Sequence, residues 1–178
     1  MSGTVTVTRT YLELPSLTDL KPAKIEDDLL RLARVPVPSV PLAQRLYREV
    51  GDAYNWHDRW KWTEQQWREW VSRPGYGTWI LTYDGELAGF FDLHWDEAGN
   101  CELELFGLVK KFHGRGFGKH LLTMVAEIAF AVGTDRLWLH TCTLDDEAAL
   151  PNYLARGFRP FRTESYKAEV KASQSKSL

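Results

Sequence analysis

The chain has 178 residues, 44% hydrophobic and 26% charged, which suits one globular domain long enough to bury a core. With 22 Lys and Arg against 24 Asp and Glu, its formal net charge is −2, so it offers neither a basic field for nucleic acid nor a polybasic membrane patch. No apolar run approaches the roughly 18 residues of a membrane span, and the opening "MSGTVTVTRT" lacks a signal-peptide core; a cytoplasmic protein is expected.

In chain order, Thr4–Leu14 alternates polar and β-branched residues and predicts a strand. "KIEDDLLRLAR", Lys24–Arg34, has apolar residues at 25, 29, 30 and 32–33 and predicts a short amphipathic helix. "VPVPSVP" fits neither a regular helix nor a central strand. A second short helix follows over Leu42–Val50, with Gly51 as its stop. "YNWHDRWKWTEQQWREW" then places five of the eight tryptophans between Tyr54 and Trp70. Its first half has no clean period. Its second half opens on a capping-box pattern, Thr63 and Gln66, and sets Trp67, Trp70 and Val71 on one helix face, which reads as core.

From Thr78 the pattern is sheet. "TWILTY" and "ELAGFFDLHW" are strands joined by an Asp84-Gly85 turn, and "CELELFGLV" follows after "DEAGN". Simple alternation puts Glu102, Glu104 and Phe106 on one face of that strand and Leu103 and Leu105 on the other. A long apolar helix, "GKHLLTMVAEIAFAV", ends at Gly133. "DRLWLHTCT" is a strand, "DDEAALPNYLAR" a helix closed by Gly157, and "FRPFRTESYKAEV" extended. Residues 171–178 read as a disordered tail. Cys101 and Cys142 lie in strand-like runs and read as buried thiols, not a disulfide framework. The five histidines show no ligand pair at metal-binding spacing, so no metal is expected.

The chemistry concentrates where strand, glycine loop and helix meet. Gly114, Gly116 and Gly118 stand just before and within the start of the long helix. Backbone amides there can face an anion, and the helix N-terminus adds partial positive charge. Lys110, Lys111, Arg115 and Lys119 add charge at the rim. The spacing is neither that of a P-loop nor that of a dinucleotide fingerprint.

His113, Gly114, Arg115, Gly116, Phe117 and Gly118 match the pattern Q/R-x-x-G-x-G/A, with His in first place. Ala149, Tyr153, Gly157 and Phe158 match A-x-x-x-Y-x-x-x-G-F. On these two motifs the chain resembles the GNAT superfamily of acyl-CoA-dependent N-acyltransferases, over roughly residues 78–161. The resemblance implies an α/β (α+β) fold: a mixed, mostly antiparallel sheet flanked by helices, with a V-shaped splay between the fourth and fifth strands. It implies a single domain over 1–170. Residues 1–77 would hold the first strand and acceptor-side helices, and 78–170 the CoA-binding core. The second C-terminal strand usual in the family is not evident after Tyr166.

The same resemblance implies acetyl-CoA as co-substrate. Its pantetheine arm would lie along Leu108, Val109 and Lys110, and its pyrophosphate on the loop from His113 through Gly114, Arg115, Gly116, Phe117 and Gly118 to Lys119. Acyl transfer to an amine needs a base for the amine and an acid for the thiolate. Glu102 occupies the position of a glutamate that is base in some members, and Glu104 is its neighbour. Tyr153 matches the frequent general acid. A Cys142–His140 acyl-enzyme is conceivable, but the superfamily generally uses direct attack. Asp92, Glu102 and Glu104 would make the amine end of the cleft acidic. Tyr54, Trp56, His57 and Trp60 are the candidate acceptor wall, able to pack an apolar amine or hold a cationic one by a π-face. The expected partner is a small-molecule or peptide amine, with a homodimer admitted by the resemblance. Two other functions remain open: a non-enzymatic acyl-CoA-binding sensor, and an interaction domain using the tryptophans.

Overall fold

The computed structural model describes residues 2–54 and 56–171. Seven strands form one mixed sheet: β1 (Ser2–Leu14), β2 (Leu30–Arg34), β3 (Tyr76–Tyr83), β4 (Glu86–Trp95), β5 (Asn100–Leu108), β6 (Arg136–Cys142) and β7 (Arg159–Lys171). Their order is β2-β3-β4-β5-β6-β1-β7. Every pairing is antiparallel except β5 with β6. The helices are α1 (Val40–Gly51), α2 (Glu64–Val71), α3 (Phe117–Ala131) and α4 (Ala149–Ala155). Helices α3 and α4 cover one face, over Leu12, Leu81, Phe91, Leu103 and Leu137. Helix α1 covers the other, with Leu46 and Val50 on Phe90.

Local signals account for much of this. Asp84 (φ 50) and Gly85 (φ 77) both take the left-handed conformation that a two-residue hairpin turn requires. Thr63 and Gln66 close the expected capping box: Thr63 N–H donates to Gln66 Oε1 at 2.8 Å, and Gln66 N–H to Thr63 Oγ1 at 3.3 Å.

Lys24–Arg34 is not a helix. Its first half runs irregularly over α3: Ile25 N–H donates to His120 Nδ1 (3.1 Å), and just before the segment Ala23 N–H donates to Thr123 Oγ1 (3.0 Å). Its second half is β2, which pairs with β3 and buries alternate residues, Leu30 fully and Leu32 in part. Strand pairing wins because the apolar residues at 30 and 32 fit a period of two as well as a helical one.

β5 departs from simple alternation. Asp92 pairs with Leu105 and Leu93 with Leu103, so Glu104 is an extra, bulged residue. Beyond the bulge the side chains change face: Phe106 and Leu108 join Leu103 beneath α3 and α4, whereas Leu105 packs with the α1 cluster. Phe106 therefore does not share a face with the glutamates.

The sheet is completed from the N-terminal end of the chain. A single C-terminal strand, β7, is present among the described residues, and β1 lies between it and β6. Lys171 belongs to β7; the rest of the expected tail, residues 172–178, lies outside the described residues.

Candidate active site

The parallel pairing of β5 with β6 covers only Asn100–Glu102 against Arg136–Trp138. A cleft of about 1040 Å³ is lined by residues of both strands. Its walls include Glu102–Phe106 and Leu108 of β5, His140 and Cys142 of β6, Asn152 and Tyr153 of α4, and Gly114, Gly116, Gly118 and Lys119 at the start of α3. Tyr47, Tyr54, Trp56, Arg59 and Trp70 also line it.

At the α3 end, Gly114 (φ 75) and Gly116 (φ 80) take left-handed backbone, and Gly116 caps the helix without a side-chain bond. A Cβ at Gly114 would meet nothing within 4 Å, and one at Gly116 only Ile25 Cδ1 at 3.4 Å. Glycine is required here by conformation, not by crowding within the chain. None of the backbone N–H groups from Gly114 to Lys119 finds a protein acceptor among the described residues; the helical bonds begin with His120 N–H to Gly116 O at 3.3 Å. Unsatisfied donors in a row at the positive end of a 15-residue helix suit an anionic diphosphate. Asn152 supports the turn: its Nδ2 donates to Gly118 O at 3.1 Å, and its Oδ1 is buried without a partner.

The basic rim is thinner than its sequence. Lys111 pairs with Glu86. Arg115 stacks over Tyr83, 4.4 Å from the ring centroid, and does not line the cleft. Lys110 is exposed, the side chain of Phe117 is core, and Lys119 alone of the four rim cations reaches the cleft.

The end of β5 is already bonded within the chain. Leu108 N–H donates to Tyr54 Oη at 3.0 Å, and His113 Nε2 lies 3.0 Å from Leu108 O and 3.1 Å from Tyr54 Oη. Val109 N–H donates to Ala88 O at 2.8 Å. Tyr54 therefore belongs to the strand end, with its ring over Gly107, where a Cβ would come within 2.6 Å of Tyr54 Cε2.

The two glutamates differ. Arg73 clamps Glu104 through both guanidinium nitrogens, at 2.9 and 2.6 Å. Glu102 has no such clamp: burial, and then the negative charge of Glu104, push its carboxyl up to about 7, against the opposing pull of Arg73 and Arg59. Asp92, fully buried, is held by Tyr76 (2.6 Å) and Thr78 (2.8 Å), and burial raises it to about 6. Tyr153 is 7% exposed, packed between Phe106 and Phe158. Burial pushes its phenol up, so it stays protonated at neutral pH. Cys142 is tied to Asp145, its Sγ 3.6 Å from Oδ1, and burial raises its thiol, which does not suit a nucleophile.

The tryptophan segment divides differently from its periodicity. Trp56 lines the cleft and stacks on Tyr54, with centroids 5.6 Å apart. His57 and Trp60 pack on each other at 4.6 Å on the outer surface and do not line the cleft. Trp67 is core, at 4% exposure. Trp70 is not core: the Cζ atoms of Arg59 and Arg73 each lie 3.6 Å from its ring centroid. Two guanidiniums at that distance cannot share a face, so the indole is sandwiched between them. Arg59, Arg73 and Trp70 are absent from the sequence-derived site. Arg59 lies outside any helix or strand, and no periodicity marks it.

Among the described residues, no group of three or more His, Cys, Asp or Glu is placed to hold a metal, and no helix is long and apolar enough to cross a membrane.

The seven-stranded mixed sheet and the helices that flank it match a GNAT-type fold. A model of the acetyltransferase (GNAT) family matches residues 42–158, and the chain belongs to that family. It is similar to the uncharacterised N-acetyltransferase YjgM of Escherichia coli, with 32% identity over 80 residues, 43% of this chain and 48% of that protein. It is also similar to an uncharacterised N-acetyltransferase from the pepI 3′ region of Lactobacillus delbrueckii subsp. lactis, with 33% identity over 98 residues, 51% of this chain and 56% of that one. The chain thus spans about half the length of these curated relatives. Among solved structures, a GCN5-related N-acetyltransferase from Kribbella flavida aligns with a TM-score of 0.64 at 20% identity, over 97% of this chain and 62% of that one. At that identity the likeness speaks for the fold alone.

Proposed function

We propose that the protein is an N-acetyltransferase that moves an acetyl group from acetyl-CoA to a primary amine by direct attack in a ternary complex. One observation carries the reading: the unsatisfied amides of Gly114–Lys119 and the unclamped, half-buried Glu102 belong to one cleft. Acetyl-CoA, when bound, supplies an activated acyl carbon and a thiolate leaving group.

The chain's own groups do the rest. The amides from Gly114 to Lys119 and the start of α3 hold the pyrophosphate, with Lys119 beside them. Tyr54 and His113 occupy the polar groups of Leu108, so a pantetheine arm reaching that strand end takes over those bonds. Glu102 accepts the amine's proton as nitrogen bonds to the acyl carbon, directly or through a water. Tyr153 gives its phenolic proton to the sulfur as the carbon–sulfur bond breaks. Glu104 holds Arg73 in place and is not the base.

The test is release of free thiol from acetyl-CoA over a panel of primary amines, with calorimetry for CoA itself. Turnover with saturable CoA binding supports the enzyme. CoA binding without turnover on any amine favours a sensor, and no CoA binding rejects both.

A further inference from the structure

Two arginines stack on the indole of Trp70, and only one is neutralised. Arg73 places both terminal nitrogens on Glu104. Arg59 is enclosed by rings, its Cζ 3.6 Å from the centroid of Trp70, 4.8 Å from Trp62 and 5.7 Å from Tyr47. No carboxylate comes within ion-pair distance of it among the described residues, and its Nη1 is buried without a hydrogen-bond partner. Burial lowers the pKa of Arg59, and the charges of Asp92 and Glu104 offset that only in part. The acidic groups nearest in charge terms are otherwise engaged. Asp92 is held by Tyr76 and Thr78, and Glu104 by Arg73.

A guanidinium buried without a counter-ion is costly. Arg59 lines the cleft that Glu102 lines, stacked on the ring of Trp70. We propose that Arg59 is a carboxylate site, and that the acceptor is an amine that also carries a carboxylate. The proposal rests on the acetyltransferase reading for the amine's fate; the carboxylate site stands on the guanidinium in the cleft wall that no ion pair engages. Arg59 offers a positive charge and a planar fork, which match one planar carboxylate. A dianionic phosphate matches less well, because Glu102, Glu104 and Asp92 crowd the same end with negative charge. The arrangement also explains why an acidic end of the cleft carries a buried cation: it orients a zwitterionic acceptor, carboxylate to Arg59 and amine to Glu102.

The experiment uses amino acids with one to four carbons between amine and carboxylate, each paired with its methyl ester. Turnover is read by thiol release, and binding by tryptophan fluorescence with CoA present. The expected result is an acid preferred over its ester by about 10- to 100-fold in kcat/KM, the range of a charge-assisted bond. Arg59→Gln should raise KM for that acid by a similar factor and abolish the preference, with CoA affinity unchanged. Arg59→Lys should restore part of it, and Trp70→Phe, which keeps a ring against the guanidinium, should leave most of it. Esters turned over as well as acids would overturn the carboxylate site while leaving the acetyltransferase standing. Arg59-dependent binding of acids without turnover would support the site and remove the enzyme. Acids that neither bind nor react in preference to their esters would end the proposal whatever CoA does.

Discussion

Glu102 and Glu104 are one residue type, two positions apart in one strand, and their surroundings give them different work. Glu104 is fixed by a bidentate arginine; Glu102 is left with burial and a like charge, and sits at about 7. In the proposed role of base it acts only when deprotonated. The kcat/KM should therefore rise with pH below about 7 and level off above it. Glu102→Gln should lower kcat by about 100-fold and leave CoA affinity unchanged, as calorimetry would show; wild-type turnover would exclude the role. Glu104→Gln removes the charge that raises Glu102 and frees Arg73, which lowers it. Both changes move the acidic limb to lower pH, and a limb moving upward would refute this account. Stability carries the opposite sign from an ordinary carboxylate. The carboxyl is higher in the folded chain than the ordinary glutamate value of 4.5, so charging it costs stability as pH rises from there through about 7. Glu102→Gln should thus raise Tm relative to wild type more at pH ~8 than at pH ~4.

At the scale of the element, the bulge in β5 decides what faces the cleft. It sets Glu102, Glu104 and Leu105 toward the α1 side and returns Phe106 to Tyr153 beneath α4. Gly107 then lets α1 and Tyr54 approach the strand: a Cβ there would meet Val50 Cγ1 at 2.7 Å and Tyr54 Cε2 at 2.6 Å. Gly107→Ala should cost about 1–3 kcal/mol, read as a lower urea midpoint, and an unchanged midpoint would show that α1 gives way without strain. This element also shows where the sequence stops being readable. The capping box of Thr63, the Asp84-Gly85 turn and the glycine loop are legible because each is set by a few adjacent residues. A bulge is not, because Leu103 and Leu105 keep the alternating pattern and only the pairing with β4 reveals the extra residue. Lys24–Arg34 is misread for a related reason: its strand exists through pairing with β3. Arg59 becomes visible only once Glu104 is seen to be spent on Arg73.

At the scale of the molecule, the sheet is closed by the two ends of the described chain. β1 pairs with β6 through Arg9–Leu14 and with β7 through Ser2–Glu13, so it is the only link between β7 and the rest of the sheet among the described pairings. Its inward residues Val7, Leu12 and Leu14 have no exposed surface. A truncation before residue 15 would therefore do more than remove one strand: it would strand β7, leave the far side of β6 unpaired, and empty part of the core under α3 and α4. Leu12→Ala alone should cost about 2–5 kcal/mol. The truncated chain should show no cooperative thermal transition and should aggregate through its open edge. A synthetic peptide of residues 2–14 added in trans should restore both the transition and CoA binding, since it supplies the missing hydrogen bonds without the covalent link. If the truncated chain melts as cooperatively as the whole one, the sheet from β2 to β6 is self-sufficient and the N-terminal strand is an addition to it. If it fails and the peptide rescues it, one sheet assembled from both ends of the described chain is the folding unit, and the cleft beside β6 depends on it.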